Sequence, residues 1–268
     1  MKECRHTLRN ARLLVVKLGT GVLSRRDGGL NQRRIRHLAA QIAALKRQGR
    51  AVLLVSSGAI GAGMSRLGFR QRPHAIADLQ ACAAVGQNLL MARYEFAFAR
   101  ESLAVAQILL THEDFRNPER RRNAEQTLRR LLRYGAVPVI NENDAISYKE
   151  IQFGDNDQLA ALVSALLRAD ACVILSNVDG FLARANGRGR PRVIASVPRI
   201  TAAIRRQAGG AGSERSVGGM KSKLLAAKRV HAAGAPLVIA NGHLARVLLR
   251  LTAGEPLGTI FLPPRNAP

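Results

Sequence analysis

The chain has 268 residues, 47% of them hydrophobic and 22% charged, enough for one large folded domain with a substantial core. Its net charge is +24, but aromatic residues make up only 4% and tryptophan is absent; this argues against stacked-base recognition of nucleic acid and for a solvated cationic surface. Cys4, Cys82 and Cys172 are far apart and form no CxxC pair, against a zinc site or a disulfide framework, and no run approaches the roughly 20 apolar residues of a membrane span.

Met1 to Arg12 is polar and basic, and the apolar run after it, Leu13 to Val16, is too short for a signal-peptide core. A cytoplasmic protein is expected. Leu13 to Val16 instead reads as a central parallel strand, apolar on both faces. It ends at Lys17-Leu18-Gly19-Thr20-Gly21, where a lysine beside bare glycine N–H groups suits a phosphate. Neither GxxxxGK[ST] nor GxGxxG occurs. Asn31 to Gln48 is an amphipathic helix, with Ile35, Leu38, Ala39, Ile42 and Leu45 at helical spacing and Gly49 closing it. Ala51 to Val55 is a second buried strand, delivering Ser56-Ser57-Gly58-Ala59 to a helix start. That is either a capped tight turn or an anion cradle, and four small residues in a row favour the cradle.

Ala75 to Glu101 predicts one long helix or two, with Tyr94, Phe96 and Phe98 as core residues. Leu103 to Leu110 is a strand, and Pro118 to Tyr134 a helix with Pro118 near its first position and Gly135 beyond its end. The strand Ala136 to Ile140 then delivers Asn141-Glu142-Asn143-Asp144. After a short excursion, Phe153-Gly154-Asp155-Asn156-Asp157 precedes a helix read from Leu159 to Leu167. A single cap would serve that helix start. Two clusters of carboxylates and amides answering one another at strand and helix ends point instead to a ligand.

Ala171 to Leu175 is a further buried strand, with Cys172 a buried thiol, ending at Ser176-Asn177. Ala183 to Pro191 and Gly209 to Gly219 read as loops. Gly218-Gly219-Met220-Lys221-Ser222-Lys223 opens a helix reaching about Ala233. Lysines in a first turn oppose the helix dipole, a conflict that a bound anion would relieve. Pro236 to Ala240 and Thr259 to Leu262 are the last strands, and the six histidines lie outside these motifs and read as surface residues.

In this order, Lys17-Leu18-Gly19-Thr20, Ser56-Ser57-Gly58-Ala59-Ile60, Val85-Gly86-Gln87, Val137 to Asp144, Phe153 to Asp157 and Gly218-Gly219-Met220 resemble the glutamate 5-kinases of the amino acid kinase family, over nearly the whole chain. The stretches Asn141–Asp144 and Gly154–Asp157 are the most specific part, separating these from acetylglutamate, carbamate and uridylate kinases. The resemblance implies an α/β fold, a three-layer α/β/α sandwich with a mainly parallel central sheet. It also implies one domain over residues 1–268, with glutamate held by about 1–165 and ATP by about 166–268. Many glutamate 5-kinases carry a C-terminal PUA domain; a chain stopping at Pro268 resembles the kinase-only form.

The implied reaction is ATP-dependent phosphorylation of the γ-carboxylate of L-glutamate, the first step of proline biosynthesis. By resemblance, Lys17, Asp157 and Lys223 are catalytic. The lysines neutralise charge developing on the phosphoryl group and Asp157 holds them in place. Ser57, Asp144 and Asn156 match glutamate-binding positions, Asp144 facing the α-ammonium. Lys17, Gly19, Ser176, Asn177 and the run Val217, Gly218, Gly219, Met220, Lys221, Ser222 and Lys223 match nucleotide-binding ones. Mg²⁺ would ride mainly on the ATP phosphates, with no protein metal site. The resemblance further implies a homo-oligomer joined through the N-terminal half and hand-over of product to glutamate-5-semialdehyde dehydrogenase, without membrane or specific nucleic-acid partners.

Three departures from the family pattern fall on the ATP side. Ser176-Asn177 stands for Thr-Asp, Val217 for a threonine, and a Tyr-Thr-x-Asp-Pro stretch is lost across Leu182 to Asn186. Two rival readings remain, an amino acid kinase with another carboxylate or phosphate acceptor, and a basic, non-catalytic nucleic-acid-binding homologue. The second gives no reason to retain Lys17, Asp157 and Lys223 together.

Overall fold

The short apolar runs meet as strands. In chain order they are β1 (Leu13–Leu18), β2 (Ala51–Ser56), β3 (Val105–Leu110), β4 (Val137–Glu142), β5 (Ala171–Ser176), β6 (Leu182–Ala183), β7 (Arg192–Val193), β8 (Ser196–Val197), β9 (Leu237–Asn241) and β10 (Thr259–Phe261). The helices are α1 (Thr20–Leu23), α2 (Gln32–Arg47), α3 (Ala59–Leu67), α4 (Ile76–Ala99), α5 (His112–Arg116), α6 (Pro118–Arg133), α7 (Asn156–Leu167), α8 (Ala202–Gln207), α9 (Met220–Ala232) and α10 (Val247–Thr252). These come from a computed structural model describing residues 7–25, 27–146, 156–183, 192–208 and 219–264.

Eight strands form one sheet in the order β3-β4-β2-β1-β5-β9-β10-β8, with β6 and β7 as a separate pair. Every pairing in the large sheet is parallel except β9 with β10. Helices cover both faces, which is why the central strands are apolar on both sides. The period-2 alternation of a strand then sorts each residue to a face. On β1, Leu14, Val16 and Leu18 join the core built with α2, α4 and α10, while Val15 joins the core built with α6, α7 and α9. Lys17 shares parity with Val15, so it belongs to the face covered by α7 and α9.

Two glycines set how closely α3 and α4 cross. A Cβ at Gly86 would lie 1.7 Å from the Ala59 carbonyl oxygen, and one at Gly63 1.8 Å from that of Cys82. Only bare backbone fits at this crossing, which explains Gly86 in the Val85-Gly86-Gln87 motif.

Several expectations change. The strand read as ending at Ile140 continues through Glu142, because the β3 ladder runs on to Leu109↔Asn141 and Leu110↔Glu142. Backbone pairing carries the polar pair inside, leaving Asn141 2% and Glu142 6% exposed. The helix read from Leu159 already includes Asn156 and Asp157. A first turn leaves its N–H groups free and welcomes acid and amide side chains, so apolar spacing marks its start late. Tyr94 and Phe98 are buried, but Phe96 is 48% exposed. His231 is not a surface residue: it is half-buried on α9, and burial holds its imidazole below the ordinary value. The short helices α1, α5, α8 and α10 and the two-residue strand β8 are too short to show a period and escaped the sequence reading. Part of the positive charge is structural: the Arg50 guanidinium donates to the carbonyls of Leu8, Arg9 and Ala11 at 2.9, 2.7 and 3.1 Å.

Candidate active site

The parallel strands β1, β2, β4, β5 and β9 carry polar residues at or next to their C-terminal ends: Lys17, Ser56, Asn141 with Glu142, Ser176 and Asn241. This is the edge at which open parallel sheets bind ligands. Lys17 lies level with Val55 on β2 and Ile174 on β5.

Three side chains from distant parts of the chain converge over that edge. Asp157, in the first turn of α7, is fully buried; its Oδ1 lies 2.9 Å from Lys17 Nζ and its Oδ2 accepts from Lys223 Nζ at 2.8 Å. The lysine side chains are only 11% and 8% exposed. Burial pushes the Asp157 carboxyl up, but the charges of Lys17 and Lys223, and then their hydrogen bonds, outweigh it and hold it below its ordinary value. The carboxylate is therefore ionised. Two ammonium groups against this carboxylate leave one surplus positive charge, largely out of water at the strand ends, an arrangement suited to a phosphoryl group.

Local structure explains how Lys223 arrives there. It sits in the first turn of α9, whose cap Gly219 offers no side chain. Gln158, next to Asp157, donates from Nε2 to the Ser222 carbonyl at 2.9 Å, locking the first turn of α9 to that of α7. Sequence reading missed Gln158; its place directly after Asp157 was the only signal. Gly19 follows the β1 lysine, its N–H donating to the Leu175 carbonyl at 3.0 Å. A Cβ there would lie 3.3 Å from the same Leu175 carbonyl oxygen, a tight fit, and 3.7 Å from Lys17 Nζ.

A second cluster adjoins the first. Asn156 is 7% exposed, and its Nδ2 lies 2.8 Å from the Ser56 carbonyl, 3.0 Å from Ser57 Oγ and 3.0 Å from Asn141 Oδ1. Ser57 precedes Gly58, which caps α3 at φ 104°, a left-handed backbone that favours glycine. Asp144 is half-buried in the turn after β4, where the Ile146 N–H donates to the Asn143 carbonyl at 3.1 Å. From α4, Tyr94 OH and Ser56 Oγ share a hydrogen bond of 2.8 Å.

On the other side of β1, Ser176 Oγ donates to Asn177 Oδ1 at 3.3 Å, and a Cβ at Gly21 would lie 3.4 Å from Asn177 Nδ2. Ser176 and Asn177 thus lie beside the loop carrying Gly19. Gly219 and Met220 open α9 with Ser222 half-buried, whereas Lys221 is exposed and does not join the Asp157 cluster. Val217, Gly218, Gly154 and Asp155 lie outside the described residues, as do 184–191 of the expected loop. Among the described residues no three His, Cys, Asp or Glu side chains converge as metal ligands, and no helix is long and apolar enough to cross a membrane.

Residues 12–241 match the Amino acid kinase family. The chain belongs to that family. Within it, the chain is 48% identical over 262 residues to a glutamate 5-kinase of Anaeromyxobacter dehalogenans, covering 97% of this chain and 69% of the relative. It is 51% identical over 251 residues to that of Bordetella pertussis, covering 93% of this chain and 66% of the relative. With the glutamate 5-kinase of Symbiobacterium thermophilum the match is 44% over 259 residues, 96% of this chain and 98% of that one. The crystal structure of UMP kinase from Bacillus anthracis superposes with a TM-score of 0.62 at 17% identity, covering 96% of this chain and 97% of that one. That likeness shows the amino acid kinase fold, a mainly parallel sheet between helical layers.

Proposed function

We propose that the chain transfers the terminal phosphoryl group of ATP to the γ-carboxylate of L-glutamate, yielding an acyl phosphate that enters proline synthesis. The observation that carries this reading is the buried triad of Lys17, Asp157 and Lys223. Phosphoryl transfer needs alignment and neutralisation of charge on the migrating group more than covalent help. Two ammonium groups held by one ionised carboxylate provide both. The acceptor carboxylate is itself ionised near neutral pH, so no general base is needed. The relatives named glutamate 5-kinase support glutamate as acceptor.

Ser57, Asn156 and Asp144 would hold glutamate on the β2–β4 side, Asp144 taking the α-ammonium. Gly19, Ser176, Asn177 and the run from Val217 to Lys223 would meet ATP on the β5–β9 side. This gives one domain with a glutamate half and a nucleotide half. Mg²⁺, which would shield the phosphates, would be held mainly through their oxygens. A homo-oligomer through the N-terminal half is supported by α4, whose exposed side carries Ala77, Ala81, Ala84, Ala92 and Phe96. The reactivity of an acyl phosphate favours direct hand-over to a reductase such as glutamate-5-semialdehyde dehydrogenase.

The test is glutamate-dependent ADP release with the product trapped by hydroxylamine as the hydroxamate. ADP release with hydroxamate supports the reading; ADP release only with another acceptor overturns it.

A further inference from the structure

The Asn156 cluster continues away from the site. Asn141 Nδ2 donates to Gln87 Oε1 at 2.9 Å, and Gln87 Nε2 donates to Gln107 Oε1 at 3.3 Å. The chain Asn156–Asn141–Gln87–Gln107 thus runs from the first turn of α7, across β4 and α4, to the edge strand β3. Its first three members are 7%, 2% and 8% exposed, and Gln107 is exposed.

Every bond in this chain points the same way, and one contact dictates the direction. A backbone carbonyl can only accept, so Ser56 O compels Asn156 to turn Nδ2 toward it. Asn141 must then meet Asn156 with its oxygen and Gln87 with its nitrogen, and Gln87 must repeat the pattern toward Gln107. At the other end of Asn156 the polarity leaves Oδ1 buried and with no partner among the described residues. A buried acceptor left unpaired is costly, and a ligand donor is the natural remedy.

We propose that Gln87, with Gln107 behind it, is a positioning residue for the acceptor substrate. It anchors the Asn141 side chain in place, and with it the Asn141 Oδ1 that accepts from Asn156, so that Asn156, turned by the Ser56 carbonyl, is held still with Oδ1 presented as an acceptor for the substrate's ammonium group. The inference rests on glutamate being the acceptor substrate. It accounts for a glutamine and an asparagine buried where apolar side chains would otherwise pack. It also accounts for Gly86, whose close approach to Ala59 seats the neighbouring Gln87 against β4. Neither glutamine touches the substrate; both act through Asn156.

Gln87→Met keeps the volume and removes both hydrogen bonds, leaving Asn141 Nδ2 buried without its acceptor, so that Asn141 shifts and no longer holds Asn156 in place. The experiment is steady-state kinetics of this variant in the full chain, with glutarate as competitor. Glutarate keeps both carboxylates of glutamate and lacks the ammonium. The expected result is a glutamate KM raised about tenfold, the size of one weakened hydrogen bond to a charged donor. The ATP KM, the kcat at saturating glutamate and the glutarate Ki should stay within about twofold, a split that general loosening of the fold would not produce. Should Gln87→Met fail to fold, the exposed Gln107 carries the test. Gln107→Leu should raise the glutamate KM about threefold, while Gln107→Glu, which still accepts from Gln87, should match the parent chain. An unchanged glutamate KM in Gln87→Met, or in Gln107→Leu if that is the one measured, overturns the inference. So does a glutarate Ki that weakens in step with it. A parent chain inert toward glutamate overturns the substrate assignment and this inference together, whereas an active parent with an indifferent variant overturns only the latter.

Discussion

Replacing Asp157 with asparagine removes the negative charge from between two ammonium groups 2.9 and 2.8 Å away while keeping the shape of the side chain. Before any substrate binds, Lys17 and Lys223 then face one another almost out of water. Breaking a buried ion pair by removing one partner costs about 3–5 kcal/mol. The asparagine oxygen still accepts one hydrogen bond, so the lower end, about 3 kcal/mol, applies. For a chain of this size that is a fall of about 6–12 °C in melting temperature. ATP supplies phosphate charge in place of the lost carboxylate, so a saturating non-hydrolysable analogue should narrow the gap. In catalysis the lysines lose the group that aims them, and loss of one preorganised electrostatic element costs about a hundred- to a thousandfold in kcat. The glutamate KM should change by no more than about threefold, because the lost interaction belongs to the transition state. The assays are thermal unfolding with and without the analogue, and coupled ADP release with hydroxylamine trapping. A kcat within about fivefold of the parent, or a glutamate KM that rises in step with the fall in kcat, would refute the role assigned to Asp157.

The same carboxylate predicts acid behaviour. Its folded pKa lies below the ordinary 3.8, so between the two values the unfolded chain binds the extra proton. The stabilisation is therefore complete above about 3.8 and lost as pH falls through the folded value. The stability difference between parent and Asp157→Asn should accordingly shrink below about pH 4, and a pH-independent difference in denaturant titrations would contradict this. Lys17→Met and Lys223→Met should each lower kcat about a hundredfold, and the double variant should lose less than the product, since both lysines act on one charge. Multiplicative losses would mean separate roles. Gly86→Ala drives a methyl group to 1.7 Å from the Ala59 carbonyl oxygen, so α3 and α4 must separate. A loss of about 3 kcal/mol or more is expected in urea unfolding, and a neutral effect would show the crossing to be looser than drawn.

Much of the fold was legible because its elements are long enough to show a period. The helix bounded by Asn31 and Gly49 appears as Gln32–Arg47 with Asn31 accepting from the Arg34 N–H, and the helix begun by Pro118 ends one residue before Tyr134. The strand after Tyr134 and the helix before Arg168 were harder. Their polar ends, Asn141–Glu142 and Asn156–Asp157, break the apolar pattern at the point where the site begins. Gln158 and Gln107 could not be found from spacing at all. Each acts through one hydrogen bond to a residue 64 or 20 positions away.

By itself the chain of residues determined the alternation of strands and helices, the glycines at the turns and the family likeness, because these depend on neighbours a few positions apart. It also named two lysines and an aspartate, 66 residues separating the latter pair. That they share one buried cluster was decided by the tertiary structure. The β1 pleat turns Lys17 toward α7 and α9, and the packing of those two helices brings Asp157 to Lys223. The one-way polarity of the amide chain was likewise decided there, since it depends on where a single carbonyl, that of Ser56, points.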